Sequence, residues 1–324
     1  MMPTVPKVPL CPSAGRCGSI GGLGSVKRSM LYCCVSVGSV KCARGIEALY
    51  SGVIDTHCHL TFSDYAGRID SVLDEAAALG VTGAISIATT TQDSLDTLRL
   101  AHEHEFVWCS VGVHPLYADK GPHDWTVLRT HAKDPKCVAF GELGLDNHYD
   151  EPPKPIQHSV LAEQLATIES CWDDGLRLPI VIHCRKAFTD LIPILKSTKL
   201  DPDRFVFHCF TGSPDEARMV LDFGASISFT GVVTYKNAKE VAEAAKLVPS
   251  DRIMVETDAP FLSPDPMRGK RPCMPGYARY TAEFLAKIRG VSFSEFHTQI
   301  DDNTERFYGI RAPSPSPQAL EGVL

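Results

Sequence analysis

Six side chains set the chemistry open to this sequence. His57 and His59 sit one residue apart in VIDTHCHL (53–60). In an extended strand, residues i and i+2 face the same way, so both imidazoles look into one space, as two ligands of one metal must. An H-x-H is not specific alone, because the chain holds 12 histidines in 324 residues. The other four narrow the reading: Glu142 in GELGLD (141–146), His183 in IHCR (182–185), His208 in FHCF (207–210) and Asp258 in ETDAP (256–260). Each follows directly on a short apolar run. Four imidazoles and two carboxylates converging from separate runs suit a pair of divalent ions, with a carboxylate bridging them. Such ions lower the pKa of a shared water and neutralise charge on a phosphoryl or carbonyl oxygen. Asp258 can then bind metal and take the proton of the attacking water, and Glu142 can bridge. Asp55 and Glu256 are candidates to orient the imidazoles.

The elements that must position these groups follow from periodicity. Eight apolar runs are read as strands: 53–56, 83–88, 107–113, 137–141, 178–184, 205–209, 225–230 and 253–256. Near-continuous Val, Ile and Phe is the pattern of parallel strands buried on both faces. Helical spacing lies between them. Ile69, Val72, Leu73, Ala76 and Leu79 form one stripe, and Leu161, Leu165, Ile168 and Trp172 another, followed by Gly80 and Gly175 where C-caps belong. Further helices are expected near 92–105, 124–134, 186–198, 214–223, 236–248, 279–289 and 293–307. Eight βα repeats in about 250 residues predict an α/β fold, a single-domain (β/α)₈ TIM-type barrel whose strand C-termini carry the site. An open doubly wound sheet fits less well, since no G-x-G-x-x-G follows the first strand and the polar residues gather at many strand ends.

Composition bounds the rest. With 44% hydrophobic and 22% charged residues the sequence is that of a globular domain, and no run of 18 apolar residues predicts a membrane span. Net charge is −7, yet residues 1–46 carry Lys7, Arg16, Lys27, Arg28, Lys41 and Arg44 and no acid, leaving the remainder at −13. So acidic a body excludes a duplex binder built on many Lys/Arg–phosphate contacts, but not an enzyme whose metal reverses the local charge. The 12 cysteines show no zinc or disulfide spacing and read as reduced thiols of an intracellular enzyme of cytoplasm or nucleus. Residues 1–50 are Gly-, Ser-, Pro- and Cys-rich and basic. They read either as a mitochondrial transit peptide or as a disordered extension. The barrel is expected over 51–310 and a disordered Pro/Ser tail over 311–324.

The chain resembles the TatD-like metal-dependent deoxyribonucleases of the amidohydrolase superfamily. IDTHCHL (54–60), GVHP (112–115), GELGLD (141–146), LPIVIHCRKA (178–187), HCFTGS (208–213), ISFTGVVTYKN (227–237) and ETDAPFLSPDPMRGKRP (256–272) carry the resemblance in order. It implies a barrel with His57, His59, Glu142, His183, His208 and Asp258 as metal ligands. It also implies Mg²⁺- or Mn²⁺-dependent 3′-to-5′ exonuclease action on DNA, on single strands or 3′ ends. The His-rich ligand set suits Zn²⁺ as well. His114 and Arg185, and more remotely Arg268, fall where a substrate phosphate would be held. Tyr149, Trp172, Phe210 and Phe261 are candidates to stack bases. Leu116 departs from the family, which often has a histidine there, so the substrate stays open. The alternative is hydrolysis of a C–N or ester bond with the same ligands, of the D-aminoacyl-tRNA deacylase, amidase or lactonase type. No obligate protein partner is evident, and an intact ligand set argues against a purely binding role.

Overall fold

The structure, a computed structural model, describes residues 52–311. The expectations for 1–50 and for the tail beyond 311 therefore lie outside the described residues. Eight strands form one parallel sheet in sequence order: β1 (Val53–Cys58), β2 (Val81–Ser86), β3 (Val107–Val111), β4 (Cys137–Asp146), β5 (Ile180–Arg185), β6 (Phe205–Phe207), β7 (Ser226–Phe229) and β8 (Ile253–Val255). Their burial on both faces answers to the unbroken apolar runs. Interior-facing Ile54, Ile85, Val138, Val181, Val206 and Met254 fill one core cluster. Apolar strand residues of the other set, among them Val53, Val107, Ile180, Ile182, Phe205 and Phe207, pack with the helices in the main core.

The helices are α1 (Ile69–Ala78), α2 (Thr91–Glu103), α3 (Trp125–His131), α4 (Lys154–Asp173), α5 (Phe188–Lys196), α6 (Pro214–Phe223), α7 (Lys239–Leu247), α8 (Ala278–Arg289) and α9 (Phe293–Tyr308). The α6 and α9 starts are fixed by reciprocal capping boxes, Ser213 with Glu216 and Ser292 with Glu295. Gly80 and Gly175 lie just past α1 and α4, as the spacing predicts.

Strand ends moved most. The fourth strand, expected to stop at Gly141, runs on to Asp146 and pairs Leu143, Gly144, Leu145 and Asp146 with Ile182, His183, Cys184 and Arg185. Two glycines read locally as a break. Here the missing side chain is what allows pairing: a Cβ on Gly144 would lie 1.9 Å from the His183 carbonyl oxygen, at a φ of 150°. The sixth strand stops at Phe207 because Cys209 takes a left-handed φ of 46°.

The barrel closes through the site itself. Among the described residues, β1 meets the end of β8 through a parallel bridge between Cys58 and Ala259. The Asp258 N–H donates to the His57 carbonyl at 2.9 Å, and the His59 N–H to the Ala259 carbonyl at 2.7 Å. Thr56 Oγ1 donates to the Val255 carbonyl at 3.0 Å. Asp55 accepts from the Thr257 amide at 2.9 Å and its hydroxyl at 2.5 Å. Asp55 thus braces the seam, touching His57 only at its backbone amide, and does not orient an imidazole as expected. Asp55→Ala would strand three buried donors, the Thr257 amide and hydroxyl and the His57 amide, and should cost about 2–4 kcal/mol in chemical denaturation, whereas a loss under about 1 kcal/mol would show that the seam does not lean on it.

Candidate metal centre

The end of β1 presents His57, and His59 follows just past it on the same side, both buried, with ring centroids 5.1 Å apart. Asp258 stands beside them across the seam. Its Oδ1 is 3.3 Å from His59 Nε2 and 3.7 Å from His57 Nε2. Its backbone φ of 59° is a conformation a non-glycine residue holds only when its surroundings impose it. Glu142, 1% exposed, is the centre. Its Oε2 faces His57 Nε2 at 3.3 Å. Its Oε1 faces His208 Nε2 at 2.5 Å and His183 Nδ1 at 2.7 Å. One carboxylate thus offers one oxygen to each half of the cluster. The structure brings all six expected ligands together at one end of the barrel.

Buried hydrogen bonds decide which ring nitrogen is free to bind a cation. His59 Nδ1 donates to the Ile87 carbonyl at 3.0 Å, leaving Nε2 toward Asp258. His183 Nε2 donates to Asp146 at 3.1 Å, leaving Nδ1 toward Glu142. His208 Nδ1 lies 3.5 Å from Glu256, the partner expected of that carboxylate. Glu256 is held in turn by the Cys209 amide and the Ser228 hydroxyl, at 2.5 and 2.6 Å. His114 differs. Its Nδ1 accepts the Leu116 N–H at 2.9 Å, so in the neutral ring the proton sits on Nε2, 3.3 Å from Glu142 Oε1. Burial pushes the His114 imidazole down to about 4, keeping it neutral. His114 lies within ligand distance of Glu142 and His183, but with Nε2 protonated it is a hydrogen-bond donor to the cluster, not a ligand.

The residues fit a divalent cation. His57 Nε2 and Glu142 Oε2, which face one another at 3.3 Å, are buried without a hydrogen-bond partner. Buried polar atoms rarely stay so unless something else satisfies them. Two overlapping triads of ligand atoms, His57–Glu142–His208 and His57–His59–Asp258, with His183 beside Glu142, suit one or two divalent ions.

The electrostatics agree. Burial disfavours a charged Glu142, but His208 and His114 outweigh it and hold its carboxyl well below the usual range. Burial likewise opposes a charged His208, yet Glu142 and Glu256 lift it well above an ordinary imidazole. His183 is raised by Asp146 and Glu142 against burial, and His59 by Asp258. Burial, reinforced by His208, lowers His57.

A cavity of about 560 Å³ opens above the cluster. Arg185 lines it, with its guanidinium 5.1 Å over the Tyr149 ring. Tyr149 and Phe261, 47% and 38% exposed, line the mouth. Trp172 and Phe210, also expected to stack bases, are buried in the core and cannot reach a ligand. Arg268 is exposed and does not line the cavity, whereas Arg271, which sequence reasoning passed over, does.

Three other residues were missed. Asp146 orients His183. Gln157, on α4, accepts the Asp146 N–H at 2.9 Å and donates to its carbonyl at 3.1 Å. Gln164, one helical heptad on, grips the amide and carbonyl of Val113 at 2.8 and 2.9 Å, fixing the residue before His114. The available signal was polar residues on the inward stripe that carries Leu161, Leu165 and Ile168.

With this geometry fixed, known proteins can be compared. A family model described as TatD related DNase matches residues 54–309. The chain belongs to this family. An uncharacterized metal-dependent hydrolase of Escherichia coli K12, YcfH, is 37% identical over 263 residues, covering 80% of this chain and 97% of the relative. The 3′-5′ ssDNA/RNA exonuclease TatD of Erwinia amylovora is 32% identical over 266 residues, covering 80% of this chain and all of that protein. The crystal structure of a TatD homologue from E. coli K12 superposes with a TM-score of 0.73 at 29% identity, covering 80% and 98% of the two chains. As a TatD-family protein with this cluster, the chain is a metal-dependent hydrolase.

Two outcomes follow for the TatD-family centre. Asp146→Asn should weaken cation affinity about 10–100-fold, since orienting partners of metal-bound imidazoles have that effect. His114→Ala should keep its bound metal, and losing it would make His114 a ligand after all; elemental analysis reads both. Because His208, His183 and His59 titrate above the ordinary imidazole value of about 6.5, cation uptake must expel their protons. Uptake should therefore weaken as pH falls through the raised values and release protons near neutrality. Mn²⁺ titration calorimetry in buffers of different ionisation enthalpy measures this, and proton-neutral binding would contradict it.

Proposed function

We propose that this TatD-family hydrolase cleaves phosphodiester bonds in single-stranded DNA or RNA, trimming nucleotides from the 3′ end. The observation that carries the reading is the cavity mouth. Over a floor of acids and imidazoles it sets two guanidinium groups, Arg185 and Arg271, beside the exposed rings of Tyr149 and Phe261. Guanidinium pairs with phosphate oxygens and aromatic faces stack bases without regard to sequence. A small amide or ester needs neither. The exonuclease named among the relatives supports the same class of substrate.

His57, His59 and Asp258 would hold one divalent cation, and His183 and His208 a second, with Glu142 shared between them. Mg²⁺ or Mn²⁺ is proposed from the family, with Zn²⁺ favoured by the imidazole count. Bound there, the ions supply Lewis-acid charge to the scissile phosphate.

The chain's own groups do the rest. Asp258 is 16% exposed where Glu142 is 1%, so it is the ligand carboxylate that reaches an incoming water. Water adds to phosphorus as Asp258 takes its proton, the bond to the 3′ oxygen breaks, and that oxygen takes up a proton from Asp258 or solvent to leave as a hydroxyl. The products are a 5′-mononucleotide and a shortened strand with a 3′ hydroxyl. Arg185 pairs with a non-bridging oxygen, while its stacking on Tyr149 limits the entropy lost in doing so. The proposed compartment is intracellular, from the free thiols among the described cysteines.

A 5′-labelled single strand with Mg²⁺ or Mn²⁺ should shorten stepwise, and Asp258→Asn should lower kcat by about 10²–10⁴-fold with the fold intact. A wild type inert on DNA and RNA but active on D-aminoacyl-tRNA or small esters would replace this reading with C–N or ester hydrolysis.

A further inference from the structure

A second cavity of about 410 Å³ adjoins the metal pocket. Thr211 and Val232 line both, so a chain leaving the metal centre past them enters the second space directly. Its far wall is Asn237 and Lys239. The loops after β7 and β8 meet beside it. Tyr235 Oη donates to the Ser263 carbonyl at 2.9 Å, and the Asp265 N–H donates to Thr234 Oγ1 at 2.8 Å. These loops and the first turn of α7 carry Lys236, Lys239, Arg268, Lys270 and Arg271 against Glu240 and Asp265, apart from Glu256 and Asp258, which belong to the metal cluster. Among the described residues none of the five cations has a carboxylate within ion-pair distance, whereas Arg99, Arg218, Lys246 and Arg279 on the outer helices each do. Arg268 is held in place: its guanidinium lies 4.0 Å over the Tyr235 ring and donates to Asn237 Oδ1 at 3.3 Å. It does not line the second cavity, but its guanidinium bonds to Asn237, which does, and the groups that hold it leave its charge uncompensated.

We propose that this second cavity is a phosphate subsite for the strand upstream of the scissile bond, with Lys239 and Arg268 as its cations. The inference rests on the nuclease reading and adds the route of the substrate. It gives Arg268 a task at a distance from the metals, which its position demands, and it makes the enzyme prefer a strand over a minimal diester. Glu240 on the same wall discourages a second close phosphate.

The test compares two substrates, a 12-nucleotide single strand and thymidine 5′-(p-nitrophenyl phosphate), on wild type and on the Lys239→Ala/Arg268→Ala double variant. Circular dichroism and metal content check that the variant is folded and loaded. The rise in KM for the strand should exceed that for the small ester by about tenfold, and the salt dependence of the strand's KM should flatten by about 0.7 in log–log slope per lost phosphate contact. Equal effects on the two substrates with an unchanged salt slope would remove the subsite while leaving the nuclease reading in place. Wild type that shortens no strand would remove both.

Discussion

The structure depends on the seam between its first and last strands. The candidate ligands His57, His59 and Asp258 follow the first and last strands, far apart in sequence, and the hydrogen bond from the Asp258 amide to the His57 carbonyl joins them at the backbone. Asp55 reinforces the join by taking both donors of Thr257, 202 residues away in sequence. Fold closure and site assembly are therefore one event. A barrel that failed to close would hold His57 and His59, at the end of β1, without the carboxylate that faces them.

Within that frame the site solves a desolvation problem. Burying four imidazoles and two carboxylates costs free energy unless each charge meets its complement. Glu142 meets several imidazole nitrogens at once, and the outer partners aim the rings: the Ile87 carbonyl for His59, Asp146 for His183 and Glu256 for His208. His114 belongs to the same cluster by distance, yet an amide donor on its other nitrogen gives it the opposite role. Ligand identity here is set by which proton each ring is made to keep.

Much of this was legible in the sequence. Eight apolar runs gave eight parallel strands, and at the ends of five of those runs His57, Glu142, His183, His208 and Asp258 line one site, because strand period and barrel topology are set by local pattern. What the pattern could not carry was contact between distant segments. The continuation of β4 past Gly141 depends on how closely Gly144 lies against His183, which no local signal records. Asp55 looked like a partner for a histidine because it is two residues from one, but its side chain points across the seam. Trp172 and Phe210 share a residue type with Tyr149 and Phe261, and only burial separates core from mouth. Arg268 and Arg271 sit in one short loop, and its path alone determines that the second reaches the metal pocket while the first turns to Asn237.

The account stands on the claim that these six side chains bind divalent cations as one cluster. Anomalous diffraction from crystals grown with Mn²⁺ tests it most directly. The account predicts anomalous density bounded by His57, His59 and Asp258, or by Glu142, His183 and His208, or at both places with Glu142 between them. Well-diffracting crystals with saturating Mn²⁺ and no anomalous peak among these residues would contradict it.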